Sequence, residues 1–378
     1  MKIYLDNAAT TPLEPQVFEA MTPFLLNHFG NPSSQHHHGR EVKSAIEESR
    51  KIIAQQINAL PEEIIFTSGG TEADNIAILS AVQFGAVKHV ITTSMEHHAV
   101  LNTLEALRVK GDIQISFVKN DEKGNLDYAG LELLLRTKSR SLVSIMHANN
   151  EIGNINDIER IALLCEKYDA LFHTDTVQTM GHYRFNLKQC KIHFLTASAH
   201  KFHGPKGIGF LYFRKGLKLT QLIKGGGQEN SLRAGTENIA GIVGLASALK
   251  IANLHLKRDH DYILSIKRYL KKRLVDVIPD IKFNGNSSDD DQSLYTVLSV
   301  NFPYCCAYPD LLRHLDQSGI SVSGGSACSK GAASHVLEAV GIPVQYDTVR
   351  FSFSKLNTLQ EIDYVIQVLS SIYQTVAA

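Results

Sequence analysis

Apolar residues at Val42, Ala45, Ile46, Ile53 and Ile57 recur at helical spacing, and the next stretch, EEIIFTSGG, reads as a short buried strand ending in a glycine turn. The alternation repeats. Strand-like runs lie at His89–Thr92, Ile113–Phe117, Leu142–Met146, Leu171–Asp175, Phe194–Ala197 and Gly209–Phe213. Helical patterns of roughly 10–15 residues separate most of the early ones, the mark of crossover units on a mostly parallel sheet. Such a sheet binds ligands outside the carboxyl ends of its strands.

From about Asn238 to Val277 the pattern predicts one long helix, a connector between domains, whose basic run KRYLKKR reads as a solvated face. Past the polar loop NGNSSDDDQS comes a second, smaller set: a strand near Thr296–Asn301, a helix near Pro309–Ser318, a loop holding Cys328, a strand near Thr348–Ser352 and a terminal helix. The expected architecture is α/β, a large domain over residues 13–257 and a smaller α+β domain made of residues 1–12 and 258–378. Composition fits this: 44% of the 378 residues are hydrophobic, enough for a large core. The 38 basic and 38 acidic residues cancel, which argues against a nucleic-acid or anionic-membrane partner. Five cysteines without regular spacing point to a reducing compartment, and the start lacks the basic and apolar stretch of a signal peptide. The apolar segment Ile239–Leu249 stops at Lys250, too short to span a bilayer, so a cytoplasmic protein is expected.

Four places collect polar residues at strand ends. Ser68-Gly69-Gly70-Thr71-Glu72 follows strand IIFT and opens a helical stretch; it suits a phosphate at a helix N-terminus, or is an ordinary turn capped by Thr71. At Asp175, in HTDTVQ, a strand ends in an acid that either caps the next turn or holds a protonated ring nitrogen, with Gln178 in reach of a neighbouring oxygen. Lys201, in ASAHKFHGPKG, is a candidate Schiff-base lysine, with Lys206 a surface or anion-contacting charge. Cys328, in SGGSACSKG, sits among small residues in a loop suited to a reactive thiol, whereas Cys165, in IALLCEKY, reads as buried and structural. The clusters His36-His37-His38, His97-His98 and Cys305-Cys306 lack metal-ligand spacing, and no metal is expected. Nor is there a dinucleotide or P-loop fingerprint.

Taken in order, YLDNAATTP, GNPSS, FTSGGTEADNIAI, EHHAV, HANNEIG, HTDTVQTMG, HKFHGPKGIGFLY, GGGQENSLRAGTEN, SGGSACSKG and VRFSFSK resemble the pyridoxal-phosphate-dependent cysteine desulfurases of the NifS/IscS type, in the class V aminotransferase group. The resemblance runs from residue 4 to residue 355. It implies a fold-type I enzyme with a mostly parallel seven-stranded sheet. Lys201 would hold the cofactor as an imine, Asp175 would pair with its ring nitrogen, and His97 would stack on its face. Asn150 and Gln178 would contact ring substituents. Gly70, Thr71, Ser198 and His200 would hold the phosphate, joined by Thr236 from the second subunit of a homodimer with shared active sites. Arg350, with Asn150 beside it, would bind the carboxylate of L-cysteine. Lys201, Arg350 and His200 would make the site locally cationic. Lys201 or His97 would take the Cα proton, and Cys328 would receive the sulfur as a persulfide and pass it to an iron–sulfur scaffold or another acceptor protein. Selenocysteine lyase and other class V aminotransferases are the alternatives. The Cys305-Cys306 pair has no counterpart in the motif.

Overall fold

Ile3–Tyr4 (β1) and two helices, Pro15–Leu26 (α1) and His37–Gln56 (α2), precede the central sheet in the computed structural model, which describes residues 2–138, 140–303, 310–324, 334–342 and 347–374. Seven strands form that sheet: Ile64–Thr67 (β2), His89–Thr93 (β3), Gln114–Val118 (β4), Ser141–Ser144 (β5), Leu171–Asp175 (β6), Phe194–Ser198 (β7) and Gly209–Phe213 (β8). Their order is β2-β8-β7-β6-β5-β3-β4. Gly70–Phe84 (α3), His98–Val109 (α4), Tyr128–Thr137 (α5) and Ile158–Lys167 (α6) lie between them in the chain. β8 is antiparallel to β2 and β7, and the other pairings are parallel. β2 therefore points the same way as β7, and the carboxyl ends of β2 to β7 share the edge at which β8 begins. The expected runs reappear within two residues of their ends, because β2, β3, β5, β7 and β8 are buried at every position and so read as unbroken apolar or small stretches.

Ile239–Val277 (α7) is a single 39-residue helix whose first turn is capped by Asn238, the side chain accepting from Gly241 N at 3.1 Å. Its first half packs Ile242, Leu245 and Leu249 into the core under β8, with Phe210 and Tyr212. Its second half packs Ile263, Ile266, Leu270 and Leu274 into a separate core. By length and composition alone α7 would cross a membrane, contrary to the sequence expectation, with mean hydropathy 1.5 over an 18-residue window. Half of that window is buried in the protein, as in a core helix.

The second core lies under a three-stranded antiparallel sheet of Lys282–Phe283 (β9), Val297–Phe302 (β10) and Asp347–Ser352 (β12), in the order β12-β10-β9. Leu311–Gln317 (α8), His335–Ala339 (α9) and Leu359–Gln374 (α10) accompany it, and Ile320–Ser321 (β11) pairs in parallel with β1. The basic run on α7 departs from its solvated reading. Lys267 is buried, donating to Ser293 Oγ and Leu294 O at 2.8 Å each, while Arg268 and Lys271 pair with Asp290 of the acidic loop. Burial pushes the Lys267 amine down to about 7. Cys165 is buried as expected, and its thiol is raised by that burial. Cys305, Cys306 and Cys328 lie outside the described residues.

Candidate active site

A cavity of about 520 Å³ opens at the carboxyl edge of the central sheet, lined by Gly70, Thr71, His97, Asn150, Asp175, Gln178, Ser198, His200, Lys201 and Arg350. Each comes from a strand end for a topological reason. Gly70 and Thr71 follow β2, His97 follows β3, Asn150 follows β5, Asp175 closes β6, Ser198 closes β7, and His200 and Lys201 form the 3-10 turn after it. Arg350 alone reaches in from β12. Thr236 is not in this cavity; it is exposed in a neighbouring cleft that shares Ser68 and Gly207 with it.

The turn after β2 is built around two glycines. Gly69 has φ 155° and ψ −174°, a conformation open essentially to glycine alone. A Cβ on Gly70 would lie 2.5 Å from Val177 Cγ2. The helix starts two residues earlier than expected, so Thr71 is inside it and is not the cap; Gly69 is the N-cap and makes no side-chain bond. Glu72 instead accepts from Ser68 N at 2.6 Å and pairs with Arg233 at 2.9 Å. The result is a first turn of backbone N–H groups and a helix dipole facing the cavity, beside Ser198, His200 and Lys206. Gly70→Ala should overpack this turn and lower stability by about 1–3 kcal/mol. Thermal melts of the cofactor-free variant would check it.

Also facing the cavity, Asp175 Oδ1 accepts from Val177 N at 2.8 Å, so it does cap the following turn. Burial pushes its carboxyl up to about 6; Asp74 adds to the rise and His97 opposes it. His97 is the N-cap of α4, its Nδ1 accepting from Ala99 N at 3.1 Å, which leaves Nε2 as the ring's free nitrogen. Burial holds His97 below the ordinary imidazole range, so it is neutral near pH 7. His200 corrects the expectation of a third cation: burial, with Lys201 and Lys206 nearby, pushes it down to about 4. Its Nδ1 lies 3.1 Å from Thr10 Oγ1.

Lys201 Nζ donates to the carbonyls of Ala8 and Ala9. Gln178 Nε2 also donates to Ala8 O, at 3.1 Å. Segment 6–11 is thereby a wall of the site, stitched to the lysine turn by Thr11 N and Oγ1, which donate to His200 O at 2.9 and 3.0 Å. Arg350 is 1% exposed and already engaged, contrary to a fork held wholly for substrate. Its Nη1 donates to Asn150 O and its Nη2 to Asp6 Oδ1, both at 2.8 Å, and its buried Nε has no hydrogen-bond partner among the described residues. A buried donor without an acceptor costs about 1–3 kcal/mol, and a ligand carboxylate would remove that cost.

Sequence reasoning missed Asp6, the Ala8 and Ala9 carbonyls and Asp74. Asp74 of α3 lines the cavity and is 1% exposed, and with His97 and Asp175 it forms the one convergent group of potential metal ligands among the described residues, their ligand atoms within 4.8 Å of one another. The only signal in the sequence was an acid on the buried face of an otherwise apolar helix, in EADNIAI.

The fold and this edge-of-sheet cavity define an α/β enzyme, and the chain belongs to the class-V aminotransferase family, whose model matches residues 3–365. It is 44% identical over 383 aligned positions to the protein named cysteine desulfurase IscS of Dictyoglomus turgidum, covering 99% of this chain and 95% of that one. Among solved structures, a NifS-like protein superposes with a TM-score of 0.90 at 35% identity, covering 99% of this chain and all of that one. A structure titled SspA in complex with cysteine has a TM-score of 0.81 at 32% identity, over 95% of this chain and all of the other.

Proposed function

We infer that this protein is a pyridoxal-phosphate-dependent cysteine desulfurase that takes L-cysteine to L-alanine and passes the sulfur to its own Cys328. The observation that carries the reading is the convergence, in one cavity, of an amine, a buried carboxylate, a helix N-terminus and a buried arginine with an unpartnered nitrogen. These match the four parts of the ligand: aldehyde, ring nitrogen, phosphate and substrate carboxylate. The relatives named above favour the desulfurase over selenocysteine lyase or another class V aminotransferase.

The cofactor supplies an electron sink for charge that develops at the substrate Cα. The chain does the rest. The amides after Gly69, with Ser198 and the neutral His200, would hold the phosphate dianion. Asp175 would hold the ring nitrogen, and Gln178 and Asn150 would contact ring substituents. Lys201 would anchor the cofactor and is positioned to move a proton at the substrate Cα, with neutral His97 as a second base. Arg350 orients the substrate carboxylate. Before Cys328 in the chain, Ser323 Oγ donates to Asp6 Oδ1 at 2.8 Å, and after it Ser334 Oγ donates to Glu151. Both anchors adjoin the cavity wall. The same reading includes a homodimer whose second subunit lends Thr236, a sulfur-accepting partner such as an iron–sulfur scaffold, a cytoplasmic setting and a division into residues 13–257 and the remainder.

The test is Cys328→Ala with L-cysteine. Cysteine should still change the cofactor absorbance, while alanine release falls to background. Full turnover by the variant would remove Cys328 from the mechanism.

A further inference from the structure

Beneath Asp175 lies a second carboxylate that the proposed mechanism leaves unused. Asp74 Oδ1 accepts from Thr196 Oγ1 at 2.8 Å, and His173 Nε2 lies 3.3 Å from the same oxygen. His173 in turn is tied by Nδ1 to Ser144 Oγ at 2.9 Å. Helix α3, strands β5, β6 and β7 thus meet at one polar knot in an otherwise apolar sheet. His173 brings no charge to it, because burial pushes that imidazole down to about 4. The other titratable groups acting on the pair are His97 and Glu96 after β3, and Lys201 after β7 lines the same cavity. Glu96 is itself buried, held by Met146 N and Thr93 Oγ1, and raised well above the usual carboxylate range by burial.

Two carboxylates this close in a desolvated site do not both ionise without a cation between them. We propose that Asp74 is a positioning residue for the cofactor: in the apoprotein it shares one proton with Asp175, and in the loaded enzyme its charge reinforces Asp175 in holding the ring nitrogen protonated. This rests on the reading of the cavity as a pyridoxal phosphate site. Thr196 fixes the Asp74 carboxylate through its donated hydroxyl, so its charge acts through Asp175 and not by contact with substrate.

The sign of the pH effect follows. Burial pushes Asp74 up to about 7 and Asp175 up to about 6, whereas unfolded carboxylates titrate near about 4. Between those values the folded apoprotein binds the extra protons, so this contribution to stability is full below about pH 4 and is lost as pH rises through 6–7. Asp74→Asn removes one carboxylate and lowers the other, so the loss should shrink and move to lower pH.

The experiment titrates apoprotein with pyridoxal phosphate at pH 7.5 and melts the apoprotein from pH 4 to 8. A neighbouring charge moves a pKa by roughly 1–3 units, so Asp74→Asn should bind the cofactor at least about tenfold more weakly. Wild-type protein that takes up no pyridoxal phosphate would overturn the site reading and this inference together. Wild-type uptake with an Asp74→Asn variant of unchanged affinity and unchanged pH profile would overturn the inference alone. Should Asp74→Asn not fold, Thr196→Val decides: loss of the donated hydroxyl should move the pH midpoint of the apoprotein's stability loss upward, and an unmoved midpoint overturns the proposal.

Discussion

Lys201→Arg should purify without the visible absorption of a lysine-bound pyridoxal phosphate and should release no alanine above background. Arginine keeps the positive charge and can still donate to the Ala8 and Ala9 carbonyls that hold the native amine. It cannot form the imine, because its guanidinium is never deprotonated in a protein. The variant therefore separates the charge and packing of this position from its chemistry. Loss of the proton-transfer role alone is worth roughly 10²–10⁴ in turnover, and loss of the covalent anchor adds to that. The cup after β2 remains intact, so cofactor should still bind, reversibly and free of the chain. Retained turnover, or a covalent adduct seen by mass spectrometry after borohydride reduction at any other residue, would move the anchor away from Lys201. Lys201→Ala is the less informative change, since Ala8 O would then keep only Gln178 as a donor and Ala9 O would lose the Lys201 bond.

Lys201 and Asp175 are legible in the sequence because each stands just past a run of apolar residues that only a buried strand explains, which is where an α/β sheet exposes polar groups. Asp74 is not legible. An acid within a helical pattern looks solvated unless the neighbouring strands are known, and here β6 and β7 are what seal it from water. The charge state of His200 was misread for a related reason: its neutrality comes from burial and from Lys201 and Lys206, a three-dimensional property of a residue whose sequence context looks cationic. Segment 6–11 acts mainly through carbonyl oxygens, which every residue has, so no side-chain pattern marks Ala8 and Ala9 as lysine acceptors. Lys267 departs from the solvated reading of its basic run because its acceptors, Ser293 and the Leu294 carbonyl, come from a loop distant in sequence. Thr236 is different again: it lies in a neighbouring cleft, and the role proposed for it in a second copy of the chain would leave no trace in its own cavity.

Arg350 offers a prediction in which binding and structure pull apart. The side chain joins three parts of the molecule: β12, the carbonyl of Asn150 and the carboxylate of Asp6. If its role is to receive the substrate carboxylate, Arg350→Ala removes charge-assisted bonds worth about 1.5–3 kcal/mol each. It also leaves Asp6 facing the incoming anion with only Ser323 as donor. kcat/KM for L-cysteine should fall by roughly 10²–10⁴, mostly through KM, because the carboxylate is bound equally before and during reaction. Cysteamine, which lacks the carboxylate, discriminates this from a structural loss. Wild-type enzyme should strongly prefer cysteine in formation of the cofactor adduct, and in Arg350→Ala that preference should collapse or invert, since Asp6 repels only the carboxylated substrate. Asp6→Asn should have the milder effect, loosening the arginine without removing it, and the two changes should be non-additive because they share one contact. A variant that melts lower yet keeps the wild-type preference for cysteine over cysteamine would show that Arg350 ties β12 to the cavity wall and that the carboxylate is bound elsewhere.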